Sequence, residues 1–140
     1  MDNSSNPKIK IITVEDSPIV VERIQSMLKE IAFVDFRGNA TNISSALSLI
    51  GEEQPHVIII DISLEEDKPK ANGINLLIEL RQKYSDVVII MFTNLVEPQY
   101  RNTCKVLGAN YFFDKSNDFE KIPEALKDIN SIKKISSLTM

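Results

Sequence analysis

Apolar residues along the chain fall into two alternating patterns. Short Ile- and Val-rich runs occur at 9–14 (IKIITV), 57–60 (VIII) and 87–92 (VVIIMF). Between them, apolar residues recur every three or four positions. The first pattern marks strands covered on both faces, and the second marks amphipathic helices. Residues 9–14 therefore predict a strand. Ser17 reads as a helix N-cap, with Pro18 at the first helical position, where a missing N–H costs nothing. Val20, Ile24, Met27, Leu28 and Ile31 carry that helix over 18–30. Residues 34–37 predict a weak second strand that can reach Ala40. Ile43, Ala46, Leu47 and Ile50 predict a second helix, which Gly51 can end. A third strand follows at 56–60. The polar loop SLEEDKPKAN then runs to Gly73, and Leu76, Leu77 and Leu80 carry a third helix. The fourth strand is 87–92. Pro98 opens a fourth helix, which Gly108 terminates. NYFF at 110–113 is a fifth strand. Ile122, Ala125, Leu126 and Ile129 carry a last helix, which admits Pro123 only in its first turn.

Five strand–helix units in series predict a doubly wound α/β fold, a five-stranded parallel sheet with helices on both faces. In such sheets function lies outside the carboxyl ends of the strands. Strand one ends at Glu15 and Asp16, strand three at Asp61 and strand four at Thr93, and Lys115 follows strand five. If strands one, three, four and five are neighbours, these groups converge. Three adjacent carboxylates repel one another, and a hard divalent cation relieves the repulsion. An all-oxygen donor set suits Mg²⁺. Lys115 can pair with a carboxylate or a phosphoryl group, and Thr93 can donate to a phosphoryl oxygen. A carboxylate nucleophile beside Mg²⁺ and lysine is what acyl-phosphate chemistry requires.

Composition narrows the reading. A chain of 140 residues, 43% hydrophobic and 26% charged, suits one domain with a core. Residues 8–130 form that domain, between a polar N-terminal tail at 1–7 and a basic C-terminal tail at 131–140. A net charge of −4 gives no electrostatic footprint for nucleic acid or an anionic membrane. The apolar runs are too short to span a bilayer, and MDNSSNPK lacks the apolar stretch of a signal peptide. Cys104 is the single cysteine, so no intrachain disulfide forms and a reducing cytoplasm fits. Cys104 is expected to be a packed apolar residue, and His56, entering strand three at the far end from Asp61, a structural one.

Over residues 8–129 the chain resembles the receiver domain of two-component response regulators. The resemblance rests on Glu15-Asp16 after strand one, Asp61 closing VIIID, Thr93 after VVIIMF, and Lys115 in LGANYFFDKS. It implies a flavodoxin-like three-layer α/β/α fold. It implies that Asp61 accepts a phosphoryl group from a histidine kinase or histidine phosphotransfer protein. Asp16 would ligate Mg²⁺ directly, Glu15 mostly through water, and the Ser63 backbone carbonyl would complete the ligands. Thr93 and Lys115 would bind the phosphoryl oxygens, and Phe112 holds the place of a switching aromatic. Ser63 and Leu95 hold positions that tune hydrolysis. Helix four, strand five and helix five would form the target-binding face. With about ten residues after the last predicted helix, a stand-alone receiver is expected, signalling by protein binding rather than acting on an external substrate.

The chain also departs from the pattern. Ser116 follows Lys115 where proline is usual, and Asn94 follows Thr93 where a small residue is common. The loop from Asp61 to Gly73 is long and carries Glu65, Glu66 and Asp67, read as a solvated run beside the pocket. Phe112 lacks a hydroxyl, so switching there would rest on packing. These departures keep a second reading open: a rarely phosphorylated interaction module on the same fold. A flavin carrier is disfavoured, because EDSPIV offers acids where a phosphate-cradling loop is needed. An aspartyl phosphatase lacks its Asp-x-Asp pattern, and no P-loop occurs.

Overall fold

A computed structural model describes residues 7–64 and 72–139, with side chains through residue 132. Five strands and five helices alternate: β1 (Ile9–Val14), α1 (Pro18–Lys29), β2 (Val34–Ala40), α2 (Ile43–Glu53), β3 (Val57–Ile60), α3 (Asn72–Lys83), β4 (Val88–Thr93), α4 (Pro98–Val106), β5 (Tyr111–Asp114) and α5 (Lys121–Thr139). The strands form one parallel sheet in the order β2-β1-β3-β4-β5. Strands one, three, four and five are therefore neighbours, the condition for their carboxyl ends to share a site.

The continuous apolar runs are explained by two cores, one on each face. Successive side chains of a strand point to opposite faces. Ile12, Val14, Ile58, Ile60, Ile89 and Met91 pack with α2, α3 and α4. Their alternates Ile9, Ile11, Val57, Ile59, Ile90 and Phe92 pack with Ile24 and Leu28 of α1 and Ile122 and Leu126 of α5. Every residue of β3 is buried, so a polar substitution there has no outward position to occupy. Cys104 lies in the α2–α3–α4 core, and burial pushes its thiol up to about 11. It is a packing residue, held well away from thiolate chemistry.

Helix ends follow local chemistry, with two corrections. Ser17 caps α1, accepting from the Val20 N–H, with Pro18 first in the helix. Gly108, at φ +106°, lies just past α4, where an L side chain would be strained. Gly51 does not end α2. The helix continues to Glu53 and stops at Gln54, at φ 48° and ahead of Pro55. Glycine inside a helix costs only about 1 kcal/mol, whereas proline cannot continue it. Residues 131–139, expected as a tail, instead extend α5 to Thr139. No proline or glycine follows Pro123 to break the helix, and Pro123 itself lies in the first turn. Residues 1–6 of the expected N-terminal tail and Met140 lie outside the described residues.

Arg81 is a structural hub that the sequence pattern does not reveal. Its five N–H groups make six contacts, one N–H being shared between acceptors: to the carbonyls of Tyr84, Ser85 and Val87, to the Gly108 carbonyl twice, and to Asn110 Oδ1. Asn110 Oδ1 also accepts from the Ile89 N–H. One side chain thus ties the α3–β4 loop to the α4–β5 loop. Arg81→Met keeps the apolar stem and removes the donors. It is expected to cost about 2 kcal/mol, read as a lower urea midpoint with an unchanged m-value.

Candidate functional site

Strand ends of a parallel sheet leave backbone groups and side chains facing one edge. Here β1 and β3 deliver their acids side by side, since Val14 pairs with Ile60 in register and the Asp61 N–H donates to the Val14 carbonyl at 3.1 Å. One carboxylate oxygen from each of Glu15, Asp16 and Asp61 lies within 4.8 Å of the other two. Lys115, just beyond β5, reaches back across the sheet. Its Nζ donates to Glu15 Oε1 and to Asp61 Oδ2, both at 2.8 Å. The Lys115–Glu15 contact joins residues 100 positions apart.

The two acids that end β1 differ sharply. Glu15 is 3% exposed, and both its oxygens are engaged: Oε1 by Lys115, Oε2 by the Ser17 N–H at 3.0 Å. Asp16 is only half-buried. Burial raises the Glu15 pKa and the neighbouring Asp61 charge adds to the rise, against the lowering contact with Lys115. Burial alone would lower the Lys115 pKa, but the Asp61 and Glu15 carboxylates outweigh it and hold the ammonium above its ordinary value. With all groups ionised, three carboxylates against one ammonium leave two negative charges. An all-oxygen cluster with that residual charge fits a hard divalent cation.

Asp61 is 7% exposed, and its Oδ1 accepts from the Ser63 N–H at 3.2 Å. The turn after it is held by two contacts that pattern reading missed. The Asn72 side chain pairs with both backbone groups of Leu64, at 2.8 Å each. The Gly73 N–H donates to the Ile62 carbonyl at 2.6 Å. An Asn immediately before a Gly at the end of a polar loop was the available signal. Glu65, Glu66 and Asp67 lie outside the described residues. Asn39 was also missed. Its amide donates to the Glu15 carbonyl at 3.0 Å and its Oδ1 accepts from the buried Thr13 hydroxyl at 2.6 Å. A register shift in the β1–β2 pair sets Asn39 opposite Thr13. The signal was a polar residue on each of two adjacent strands.

Thr93 is fully buried at the end of β4, and its Oγ1 accepts from the Leu95 N–H at 3.1 Å. The Thr93 carbonyl accepts from the Lys115 N–H at 2.9 Å, so the backbones of the two residues are joined at the ends of β4 and β5. Phe112 is half-buried, with the Arg101 guanidinium 4.6 Å from its ring centroid. A groove of about 450 Å³, lined by Glu15, Asp16, Pro18, Ile19, Glu22 and Asn39, adjoins the acidic pair. Ile19 at its rim is 71% exposed. His56 lies at the opposite edge, where its Nδ1 accepts from the Lys10 N–H at 2.9 Å. It lines a larger cavity of about 650 Å³, remote from the acids.

Comparison with known proteins agrees with the fold. A family model of the response regulator receiver domain matches residues 11–127. The transcriptional regulatory protein MalR of Bacillus subtilis (strain 168) is 31% identical over 129 residues, covering 92% of this chain and 53% of that protein. A protein-glutamate methylesterase/protein-glutamine glutaminase of Trichodesmium erythraeum (strain IMS101) is 30% identical over 125 residues, covering 88% of this chain and 34% of that protein. The chain thus spans about half, or a third, of the length of these curated relatives. The isolated receiver domain of RcsB from Salmonella enterica serovar Typhimurium, solved with phosphomimetic BeF3⁻, superposes with a TM-score of 0.80 at 23% identity, covering 89% of each chain. That likeness bears on the fold.

Proposed function

The chain belongs to the response regulator receiver family, and on that premise we propose that Asp61 is its phosphoacceptor. The donor is a phosphohistidine on a histidine kinase or histidine phosphotransfer protein. The observation that carries this reading is the cluster of Glu15, Asp16 and Asp61 within 4.8 Å, with Lys115 bonded to two of the three. An Asp61 carboxylate oxygen attacks phosphorus. The oxygen–phosphorus bond forms as the nitrogen–phosphorus bond breaks, and the electron pair leaves with the imidazole nitrogen. Asp16 and Asp61, with the Ser63 carbonyl, would hold Mg²⁺ directly. Glu15, the more deeply buried of the two acids that end β1, would act mostly through water. Bound there, Mg²⁺ neutralises charge on the transferring phosphoryl group. Lys115 moves from the carboxylate to a phosphoryl oxygen, and Thr93 donates to another.

The phosphorylated form signals by protein binding at the face made by α4, β5 and α5. Half-buried Phe112 and exposed Val106 lie on that face. Phosphorylation changes binding only if a partner prefers the phosphorylated arrangement. The alternative is a rarely phosphorylated interaction module, favoured by the Asn94 and Ser116 departures. Titration with beryllofluoride and Mg²⁺, followed by amide NMR, separates the two. Shifts at Thr93, Phe112 and Lys115 that need both reagents support phosphoacceptance. A spectrum that stays unchanged refutes it.

Leu95, half-buried against the α2–α3–α4 core beside Thr93, shields the pocket from water. Leu95→Gln is expected to speed loss of the phosphoryl group by roughly threefold, measured as decay after the donor is removed.

A further inference from the structure

Asn94 and Ser116 each follow a residue of the pocket, and they meet in space. The Ser116 hydroxyl donates to Asn94 Oδ1 at 3.1 Å. The bond lies at a defined point of the fold. β4 and β5 are paired to their ends, Thr93 opposite Asp114, and the Lys115 N–H donates to the Thr93 carbonyl. Past that last backbone link the chain diverges, one strand leading to α4 and the other to α5. The Asn94–Ser116 bond spans the divergence just outside Thr93 and Lys115.

The two sides of the bond are held unequally. Ser116 stands on a braced loop. Its N–H donates to Asp114 Oδ1 at 2.8 Å, Asp114 Oδ2 accepts from Asn117 Nδ2 at 2.9 Å, and Asp118 Oδ2 accepts from the Asp114 N–H at 2.9 Å. Asn94 begins a loop whose local tie is the Leu95 N–H to Thr93 Oγ1. Both Asn94 and Ser116 are exposed, so water competes for their bond and it opens readily. An exposed bond between a braced loop and a looser one behaves as a latch rather than a strut.

We infer that Asn94 and Ser116 form a gate on the β4–β5 side of the pocket, governing how readily a small phosphoryl donor and the hydrolytic water reach Asp61. The inference rests on the proposed phosphoacceptor role of Asp61. Closed, the latch keeps the Thr93 and Lys115 loops together and narrows the approach between them. A gate affects passage in both directions of the cycle. Opening it therefore raises phosphorylation and hydrolysis rates by the same factor. A residue that binds the phosphoryl group would change hydrolysis selectively, and one that only braces the fold would change the melting temperature.

The test uses the full chain with Mg²⁺ and acetyl phosphate, comparing wild type with Asn94→Ala, Ser116→Ala, the double variant and Ser116→Thr. Rate constants for phosphoryl gain and for decay are measured along with thermal stability. Each alanine variant is expected to raise both rates by roughly threefold. The double variant should match either single one, because both remove the same bond. Ser116→Thr, which keeps the hydroxyl, should stay near wild type, and melting temperatures should not move. Unchanged rates in the variants, a change in one rate alone, or additive effects of the two alanines would overturn the gate while leaving the role of Asp61 intact. Wild-type protein that takes up no phosphoryl group overturns both.

Discussion

Asp61→Asn leaves a folded protein that acquires no phosphoryl label from acetyl phosphate or a phosphorylated donor, in the presence or absence of Mg²⁺. The amide oxygen carries no full negative charge and cannot serve as the nucleophile. The fold should survive because two electrostatic changes oppose each other. The variant loses the 2.8 Å contact between Lys115 and a carboxylate, and it removes one charge from a cluster of three. Lys115 keeps its Glu15 partner at 2.8 Å. The unfolding free energy is therefore expected to stay within about 1 kcal/mol of wild type. Mass spectrometry of the intact protein reads the label, and urea denaturation reads the fold. An Asp61→Asn protein that still labels would move the phosphoacceptor elsewhere.

Gly73→Ala should be the most damaging small substitution at this edge of the fold. A Cβ at Gly73 would run into the Asp61 carbonyl oxygen and lie 2.7 Å from Ile62 Cα and 2.9 Å from the Ile62 carbonyl oxygen. All three are backbone atoms, so no side chain can swing aside. Relief requires α3 or the Asp61–Ile62 backbone to move, which also breaks the 2.6 Å bond from the Gly73 N–H to the Ile62 carbonyl. The expected cost is about 4 kcal/mol, enough to leave much of the protein unfolded under mild denaturant. Gly51→Ala is the matched control. Its Cβ meets nothing within 4 Å, and it lies inside α2. That change should stabilise by roughly 0.5–1 kcal/mol. Urea midpoints moving in opposite directions would bear out both assignments. A Gly73→Ala protein with wild-type stability would show that the Asp61 turn yields more easily than its contacts imply.

Both predictions concern one turn, and the two residues were unequally legible. Asp61 is visible in the sequence because it ends a fully apolar run, and a lone carboxylate there has no packing role. Gly73 is visible only as a loop boundary. Its function as the point where α3 touches the Asp61 backbone depends on how α3 packs on the sheet. Asn72 beside it gave the same weak signal, yet its side chain satisfies both backbone groups of buried Leu64. Arg81 carries no signal in the pattern of the third helix, which Leu76, Leu77 and Leu80 define. Its six contacts reach as far as Asn110, 29 residues away, and no periodicity reports them. The helix end at Gly51 was misjudged because glycine is a weak breaker, and a weak pattern does not stop a helix already begun.

By itself the sequence determined the element types, their order and the acids at the strand ends. Those properties are local: a strand's two-residue period, a helix's 3.6-residue period, a cap or a proline acts within a few residues. Tertiary structure alone decided which strand lies beside which, and through the order β2-β1-β3-β4-β5 it brought Lys115 to Glu15 and Asp61. It also separated the two acids of the opening pair, burying Glu15 between Lys115 and the Ser17 N–H while leaving Asp16 half-buried. The physical reason is range. Hydrogen bonds and ion pairs act over about 3 Å in space whatever the separation along the chain, so which groups share a site is set only once the sheet has closed.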